Sequence, residues 1–488
     1  MSLTRSNSFS TLEKAREVNL DTDSYGTFAE IGAGQEVVRW FFRAGGAAGT
    51  VSKSISAYDM QVSDAIYGDC KRYVSRERLD AMLEREQQLN RERLSEQRGQ
   101  SSSFFAFADT VSARNYLGTN ECHGWMGVRF QTSPGSADSV IIIHVRMLDP
   151  NNSAQQEALG IVGVNLIHGA CRYHNDINLL VASLVDGLSE GRVEVDMVDV
   201  SGPAFSDVDN RVLTLKLVQL GLTGAAMFSA DGQVLQPSNV LRKKHLLVQR
   251  GRFRPITHVN MDMLASAHKT FETLCDKEQG DILPIMEISM HNLRENSEVC
   301  LEDFVSRAEL ISTTGCVVMV SDFQEYHRLA TYLSRYTDRQ IGLAMGLASL
   351  QGLFDESYYD DLAGGILESF GRLFKSQIKL LIYPYKNAST HVVETLDGLD
   401  LPDSRQHLLE YLRARHFVTE LRDVSHEYLD IHSPEVLKLI SSGSQEWTEM
   451  VPESVATIIK EKNLFGYSSR ATNPSDSDHH YRTTSAES

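Results

Sequence analysis

Histidine and aspartate on neighbouring strand ends are placed to move protons, and this sequence offers one such pair. His291 and Asp322 stand just beyond two apolar, β-branched runs at 284–290 and 315–320. Ligands of open parallel sheets gather beyond the carboxyl ends of the strands, so the pair reads as a general acid and base. The same row of strand ends delivers Asn292, Gly346, Tyr385 and Lys386, while Glu287 lies inside its strand and reads as a core ion-pair member. A second set is cationic: Arg242, Lys243, Lys244, Arg250, Arg252 and Arg254 fall within thirteen residues of a chain whose net charge is −18. Arginine forks hold phosphate or carboxylate in bidentate fashion. The cluster therefore reads as an anion site, with a solvated charge run as the alternative.

The third set is a glycine turn, Glu30-Ile31-Gly32-Ala33-Gly34-Gln35-Glu36, between a short strand pattern and a helical one. Glycines there let backbone N–H groups approach a phosphate or ribose at a helix start. The Glu-x-Gly-x-Gly phrase resembles the first motif of S-adenosylmethionine methyltransferases and half of a dinucleotide fingerprint. Glu36 stands where the third glycine belongs, and its carboxylate opposes a pyrophosphate. Asp59, after a second strand pattern, is placed for a ribose hydroxyl. The competing reading is a tight turn that needs glycine for its backbone alone. His168, Cys171 and His174 lie one helical turn apart, yet buried cysteine and capping histidine explain such a trio more simply than a metal does. Cys122-His123 is a weaker pair of the same kind. No metal and no cofactor is assigned.

Alternating strand and helix patterns position these residues, and the fold class they imply is α/β, with mostly parallel, Rossmann-like sheet regions. Residues 1–24 are polar and read as a flexible N-terminus. Residues 25–115 hold the glycine turn and a charged helix at 75–98, capped by Ser75, with six acidic and six arginine residues around a broken apolar stripe. That helix reads as a solvated arm or as an arm packed on another subunit. A first α/β region covers 116–283, a second 284–402, a helical segment 403–466 and a disordered tail 467–488, in which His479 and His480 read as solvated.

With 65 acidic against 47 basic residues, the surface repels phosphate backbones and anionic lipid, so neither nucleic acid nor membrane is an expected partner. No apolar stretch approaches membrane-spanning length, and residues 1–18 carry no secretory pattern. Six scattered cysteines without a Cys-x-x-Cys pair point to reduced thiols and a cytoplasmic location.

The stretches FAEIGAGQEVVRWFFRAGGAAGTVSKSISAYDM (28–60), GTNECHGWMGVRFQT (118–132) and GGILESFGRLF (364–374) resemble an uncharacterised bacterial protein family over about residues 24–390. Its members often carry the labels nicotinate-nucleotide adenylyltransferase or TonB-dependent receptor. The His-x-Gly-His motif of nucleotide adenylyltransferases does not occur in this sequence, and neither does the signal and strand pattern of a receptor barrel. The expectation is thus an enzyme binding a nucleotide or another phosphorylated metabolite, a transferase if the family labels apply. His291 and Asp322 would act as acid–base residues, and Gly32, Gly34, Asp59, Lys243, Lys244, Arg252, Arg254, Gly346 and Lys386 would hold the ligand. The alternative is a homo-oligomeric scaffold assembled through the charged helix.

Overall fold

Residues 104–111, Phe-Phe-Ala-Phe-Ala-Asp-Thr-Val, are buried without a break. A strand covered on both faces needs helices on both sides, and that requirement organises the fold. The computed structural model describes residues 9–117, 120–275, 280–295, 298–375, 377–387 and 389–468. Its architecture is α/β, and it divides into two units, Met1–Val240 with Met319–Phe323 and Leu241–Val318 with Gln324–Ser488. No helix among the described residues is long and apolar enough to cross a membrane.

The first unit contains, in chain order, α1 (Thr11–Asn19), β1 (Ser24–Gly32), α2 (Val37–Ala44), β2 (Val51–Ala57), α3 (Met60–Tyr67), α4 (Arg76–Arg98), β3 (Ser103–Ser112), β4 (Cys122–Phe130), β5 (Ser139–Met147), α5 (Asn152–Arg172), α6 (Ile177–Ser183), β6 (Val193–Ser201), α7 (Asn210–Gln219), β7 (Ala225–Phe228) and β8 (Val234–Leu235). Its main sheet runs β2-β1-β3-β4-β5-β6. The first three strands are parallel and the rest antiparallel. Helix α4 covers one face, where Leu79 and Leu83 lie against Gly127 of β4. Helix α5 covers the other, where Gly163 admits Val37 and Met126.

Two expectations change here. Residues 11–19 are not loose: Ser10 and Glu13 form a reciprocal capping box, and Ala15 and Val18 of the resulting helix are fully buried. The helix at 75–98 begins at Ser75 as its cap predicts, with Ser75 Oγ accepting from the Arg78 N–H at 3.2 Å. It is no projecting arm, however. Leu79, Met82 and Leu83 have no exposed surface. The breaks in its apolar stripe are polar residues that bond inward. Gln87 Nε2 donates to the Phe104 carbonyl at 3.1 Å, Asn90 Nδ2 to the Phe105 carbonyl at 2.9 Å, and Arg78 pairs with Asp64 at 2.6 Å.

The second unit is built on β9 (His245–Arg250), α8 (His258–Leu274), β10 (Ile282–Ser289), α9 (Leu301–Ser312), the start of β11 (Val317–Ser321, of which Met319–Ser321 count with the first unit), β12 (Ile341–Gly346), β13 (Ile378–Tyr383) and β14 (Val418–Glu420). Five of its strands lie in the order β14-β13-β12-β9-β10. The pairs β14–β13, β13–β12, β12–β9 and β9–β10 are all parallel. The sheet reaches past both limits expected for it. β9 is an interior strand, so the unit begins near 241 and not at 284. β14, inside the segment expected to be helical, extends the edge at 418–420. The tail expected to be disordered lies outside the described residues from 469 onward, as do residues 1–8.

If α4 belongs to the core of the first unit, Leu83→Ala should cost about 2–5 kcal/mol of stability in denaturant unfolding. A change below about 0.5 kcal/mol, the range of surface substitutions, would return the helix to the solvated-arm reading.

Candidate functional site

From β1 the chain passes through α2 to β2 on one side, then returns through α3 and α4 to β3 on the other. The carboxyl ends of β1 and β3 therefore flank a topological switch point, the place where open α/β sheets receive ligands. The glycine turn closes the β1 end. Gly32 sits at φ +76°, in the left-handed region, and a Cβ there would stand 2.4 Å from the Val111 carbonyl oxygen. Gly34 lies against a fully buried carboxylate: a Cβ on it would stand 2.0 Å from Asp109 Oδ1. The start of α2 is already capped from inside the protein, since Glu30 accepts from the Val37 N–H at 2.8 Å and the Val38 N–H at 3.3 Å. That carboxylate takes the amides a phosphate would need. Asp59 reaches the same end of the sheet but caps α3, accepting from the Val62 N–H at 3.1 Å.

Glu30 and Asp109 face each other in register on β1 and β3. Burial pushes Glu30 up to about 7 against the pull of the Val37 and Val38 amides, and burial together with Glu30 holds Asp109 well above the usual carboxylate range. Neither oxygen of Asp109 makes a well-formed hydrogen bond, and the Ile31 N–H only partly opposes the rise. The pair thus retains a proton near neutrality.

On the opposite face of the sheet three side chains form a line. His144 Nδ1 lies 2.6 Å from Asp196 Oδ1, and His144 Nε2 lies 3.1 Å from His123 Nδ1. Asp196 has no exposed surface and His144 is 2% exposed, while His123 is half-buried. A register shift creates the contact: His144 pairs with Met197 and Val145 with Val195, leaving Asp196 as the extra residue of a β-bulge. Bulges re-aim side chains in this way. Gln236 Nε2 reaches the second Asp196 oxygen at 3.4 Å, and the Trp125 ring stands edge-on to His144 at 5.0 Å.

Donor–acceptor logic orders the protons. A carboxylate only accepts, so His144 donates from Nδ1, and in its neutral form it leaves Nε2 bare. His123 then donates through Nδ1, and its Nε2 presents a lone pair away from the relay. Burial foremost, and next a positive charge on His144 whenever that ring is protonated, push His123 down to about 4, so the neutral His123 ring prevails at physiological pH. Arg72 adds to this, and Asp196 and Glu121 oppose it. The register pairs His123 with Ser112, the last residue of β3, so the outer imidazole lies at the switch-point end. Cys122 beside it does not serve as a thiolate, because burial raises its thiol to about 11.

The residues singled out from sequence do not converge on one site. Asp322 is counted with the first unit and His291 with the second, and both are exposed. The basic cluster is split by β9, about 20 Å long at roughly 3.3 Å per residue: Lys243 and Lys244 precede the strand, and Arg252 and Arg254 follow it. Arg250 is spent on Glu287 at 2.6 Å, the core ion pair that Glu287 suggests. Gly346 ends β12 with open space where a Cβ would be, and Lys386 pairs with Asp430 at 2.6 Å. His168 binds Glu17 at 2.9 Å and His174 its own helix at the Ala170 carbonyl, and no metal-holding cluster of three or more His, Cys, Asp or Glu occurs among the described residues. An open cleft of ≈ 490 Å³ lies in the second unit beside β14, but its charges are largely paired, Lys269 with Asp423 and Arg413 with Asp397.

No family model and no curated protein matches the chain. Among solved structures it is similar to the competence/damage inducible protein CihA from Agrobacterium tumefaciens, with 15% identity, a TM-score of 0.24, and coverage of 33% of this chain and 97% of that one. A competence-damaged protein (CinA) superfamily protein from Enterobacter cloacae matches with 12% identity, a TM-score of 0.25, and coverage of 35% and 98%. Likeness at this level carries no argument about activity. None of these comparisons supports the adenylyltransferase or receptor labels.

The carboxyl pair gives a pH test. Folding raises both pKa values, so the stability they contribute is complete below about pH 4.5 and is lost as pH rises through about 7. Asp109→Asn should therefore raise the melting temperature at pH 8, with the gain shrinking toward pH 5. A loss at pH 8 would mean that Asp109 is ionised and paired.

Proposed function

We propose that the protein is an enzyme that performs general acid–base chemistry at His123. The observation that carries this reading is the Asp196–His144–His123 line, which runs from a fully buried carboxylate to a half-exposed imidazole. A core needing only a satisfied histidine would stop at His144. The second ring brings the polarisation out to the sheet end where ligands of this class of fold gather.

In a catalytic cycle His123 Nε2 takes a proton from a substrate hydroxyl or from water. The resulting imidazolium keeps its Nδ1–H on His144, whose orientation Asp196 fixes, and it later returns the proton to the leaving group. Positioned proton transfer of this kind contributes about 10²–10⁴-fold in rate. We take the substrate to be a nucleotide or another phosphorylated metabolite. Arg72, close enough to His123 to disfavour a second positive charge there, supports an anion at that end. The scaffold alternative has less support, since the helix meant to carry assembly buries Leu79, Met82 and Leu83 within the first unit. Self-association remains a proposal that would need another surface.

The test is to incubate the full chain with a panel of phosphorylated metabolites and follow depletion by mass spectrometry. A substrate consumed by the wild type should be spared about 10²–10⁴-fold by His123→Ala. With the His123 pKa near 4, the wild-type rate should be level from about pH 5 to 8 and fall below that. Equal turnover by His123→Ala, or no metabolite consumed, defeats the reading.

A further inference from the structure

The main sheet of the first unit ends at β2, which pairs with β1 and, among the described residues, with no strand on its other side. An open edge offers amides and carbonyls to any chain that can lie along it, and proteins guard such edges with proline, an outward charge or a bulge. β2, Val-Ser-Lys-Ser-Ile-Ser-Ala, has no proline. Its one charge, Lys53, is drawn to Glu86, which has no exposed surface. Its one irregularity leaves Ser52 as the extra residue, and residues 53–57 then pair with 27–31 in unbroken register. The guards are therefore weak along most of the strand.

Exposed apolar side chains stand at both ends of this edge. At the amino end, Leu20 lies at Gly46, in the turn that enters β2, and Phe42 of α2 is 56% exposed. Successive helix residues are about 100° apart. Phe41 is buried, and Trp40 reaches Gly160 of α5 on one flank of α2. Phe42 therefore takes the other flank, away from α5 and toward β2 in the strand order. At the carboxyl end, Tyr58 is 78% exposed, and exposed Met60 opens α3. Between the two ends, the exposed Ser54 and Ser56 stand in register with Phe28 and Glu30, whose side chains meet α2, and Tyr58 continues that row. Each end also carries one exposed charge, Arg43 beside Phe42 and Asp59 beside Tyr58.

We propose that β2 pairs antiparallel with β2 of a second copy of this chain, about a twofold axis at Ser54. That rotation carries the amino end of one strand to the carboxyl end of the other. Leu20 and Phe42 then meet the partner's Tyr58 and the partner's Met60, and the same contact recurs at the far end. Arg43 is brought toward the partner's Asp59, so the charges complement as well. The occupant is a second copy because one chain carries both halves of the contact and the rotation uses each half twice, which closes the assembly at two. A half-exposed aromatic offers on the order of 100 Å². These side chains in two copies, with the strands added, thus approach the roughly 1,200 Å² of a stable interface. Nothing in this pairing depends on acid–base chemistry at His123.

Light scattering of the full chain during size exclusion, over a dilution series, tests the proposal. The wild type should be a dimer that dissociates on dilution. Ser54→Lys, at an exposed position, sets two like charges across the axis and should raise the dissociation constant about tenfold or more. Phe42→Lys and Tyr58→Glu should each weaken the dimer in the same sense. An equimolar mixture of these two variants should recover it, because one contact then joins opposite charges and the other keeps Phe42 against Tyr58. Leu367→Lys, at an exposed apolar position of the second unit, should leave association unchanged. A wild type that stays monomeric at about 100 μM overturns the proposal. So do unchanged association in Ser54→Lys that is folded by circular dichroism, an assembly larger than two, and a mixture that stays monomeric.

Discussion

A carboxylate removed from water must be given a proton or a partner, and Asp196, with no exposed surface, is given His144. Much of the first unit follows from that contact. The bulge in β6 exists at the one position where it turns Asp196 toward its neighbour strand. Gln236, from the segment after β8, supplies the second oxygen with a donor. The antiparallel pairing of β4 and β5 then brings His123 Nδ1 within 3.1 Å of the far nitrogen of His144. The reversal from parallel to antiparallel strands after β3 thus allows a buried acid to act at the sheet end.

The two faces of this sheet solve the problem of buried polarity differently. On the α5 side, Glu30 takes the helix amides of α2, while Asp109, buried beside Glu30, is held well above the usual carboxylate range and keeps a proton. Gly34 is glycine because that carboxyl occupies the space a side chain would need. On the α4 side, buried Gln87 and Asn90 bond the carbonyls of Phe104 and Phe105. The covering helix is bound to the sheet as much by polar contacts as by its leucines.

Much of the fold was legible in the sequence. Uninterrupted runs such as 139–143 and 317–320 mark covered strands, and their alternation with helices gives the α/β class and the parallel second sheet. The helix at 11–19 was equally legible in Ser10-x-x-Glu13, a capping signal outweighed by the polar composition around it. The α4 stripe misled because Gln87 and Asn90 count as solvent-facing by type and are core by contact. For the site, adjacency in sequence was a poor guide. Lys244 and Arg252 look like neighbours until a strand separates them, and His291 and Asp322 belong to different units. The one visible trace of the relay was a lone histidine in Ile-Ile-Ile-His144-Val and a lone aspartate in Val-Glu-Val-Asp196-Met. Their meeting depends on a one-residue register shift that no local pattern encodes.

The tautomers of the two histidines test the account most directly. Nitrogen-15 labelling of the ring atoms, read by long-range nitrogen–proton correlation at pH 7, distinguishes a bare nitrogen from a protonated one in each imidazole. The relay predicts both rings neutral, each with hydrogen on Nδ1 and a bare Nε2, and loss of that pattern at His144 in Asp196→Asn. A hydrogen on His123 Nε2, or an imidazolium at His144 with His123 accepting from it, would contradict the account and leave the line of residues as core packing alone.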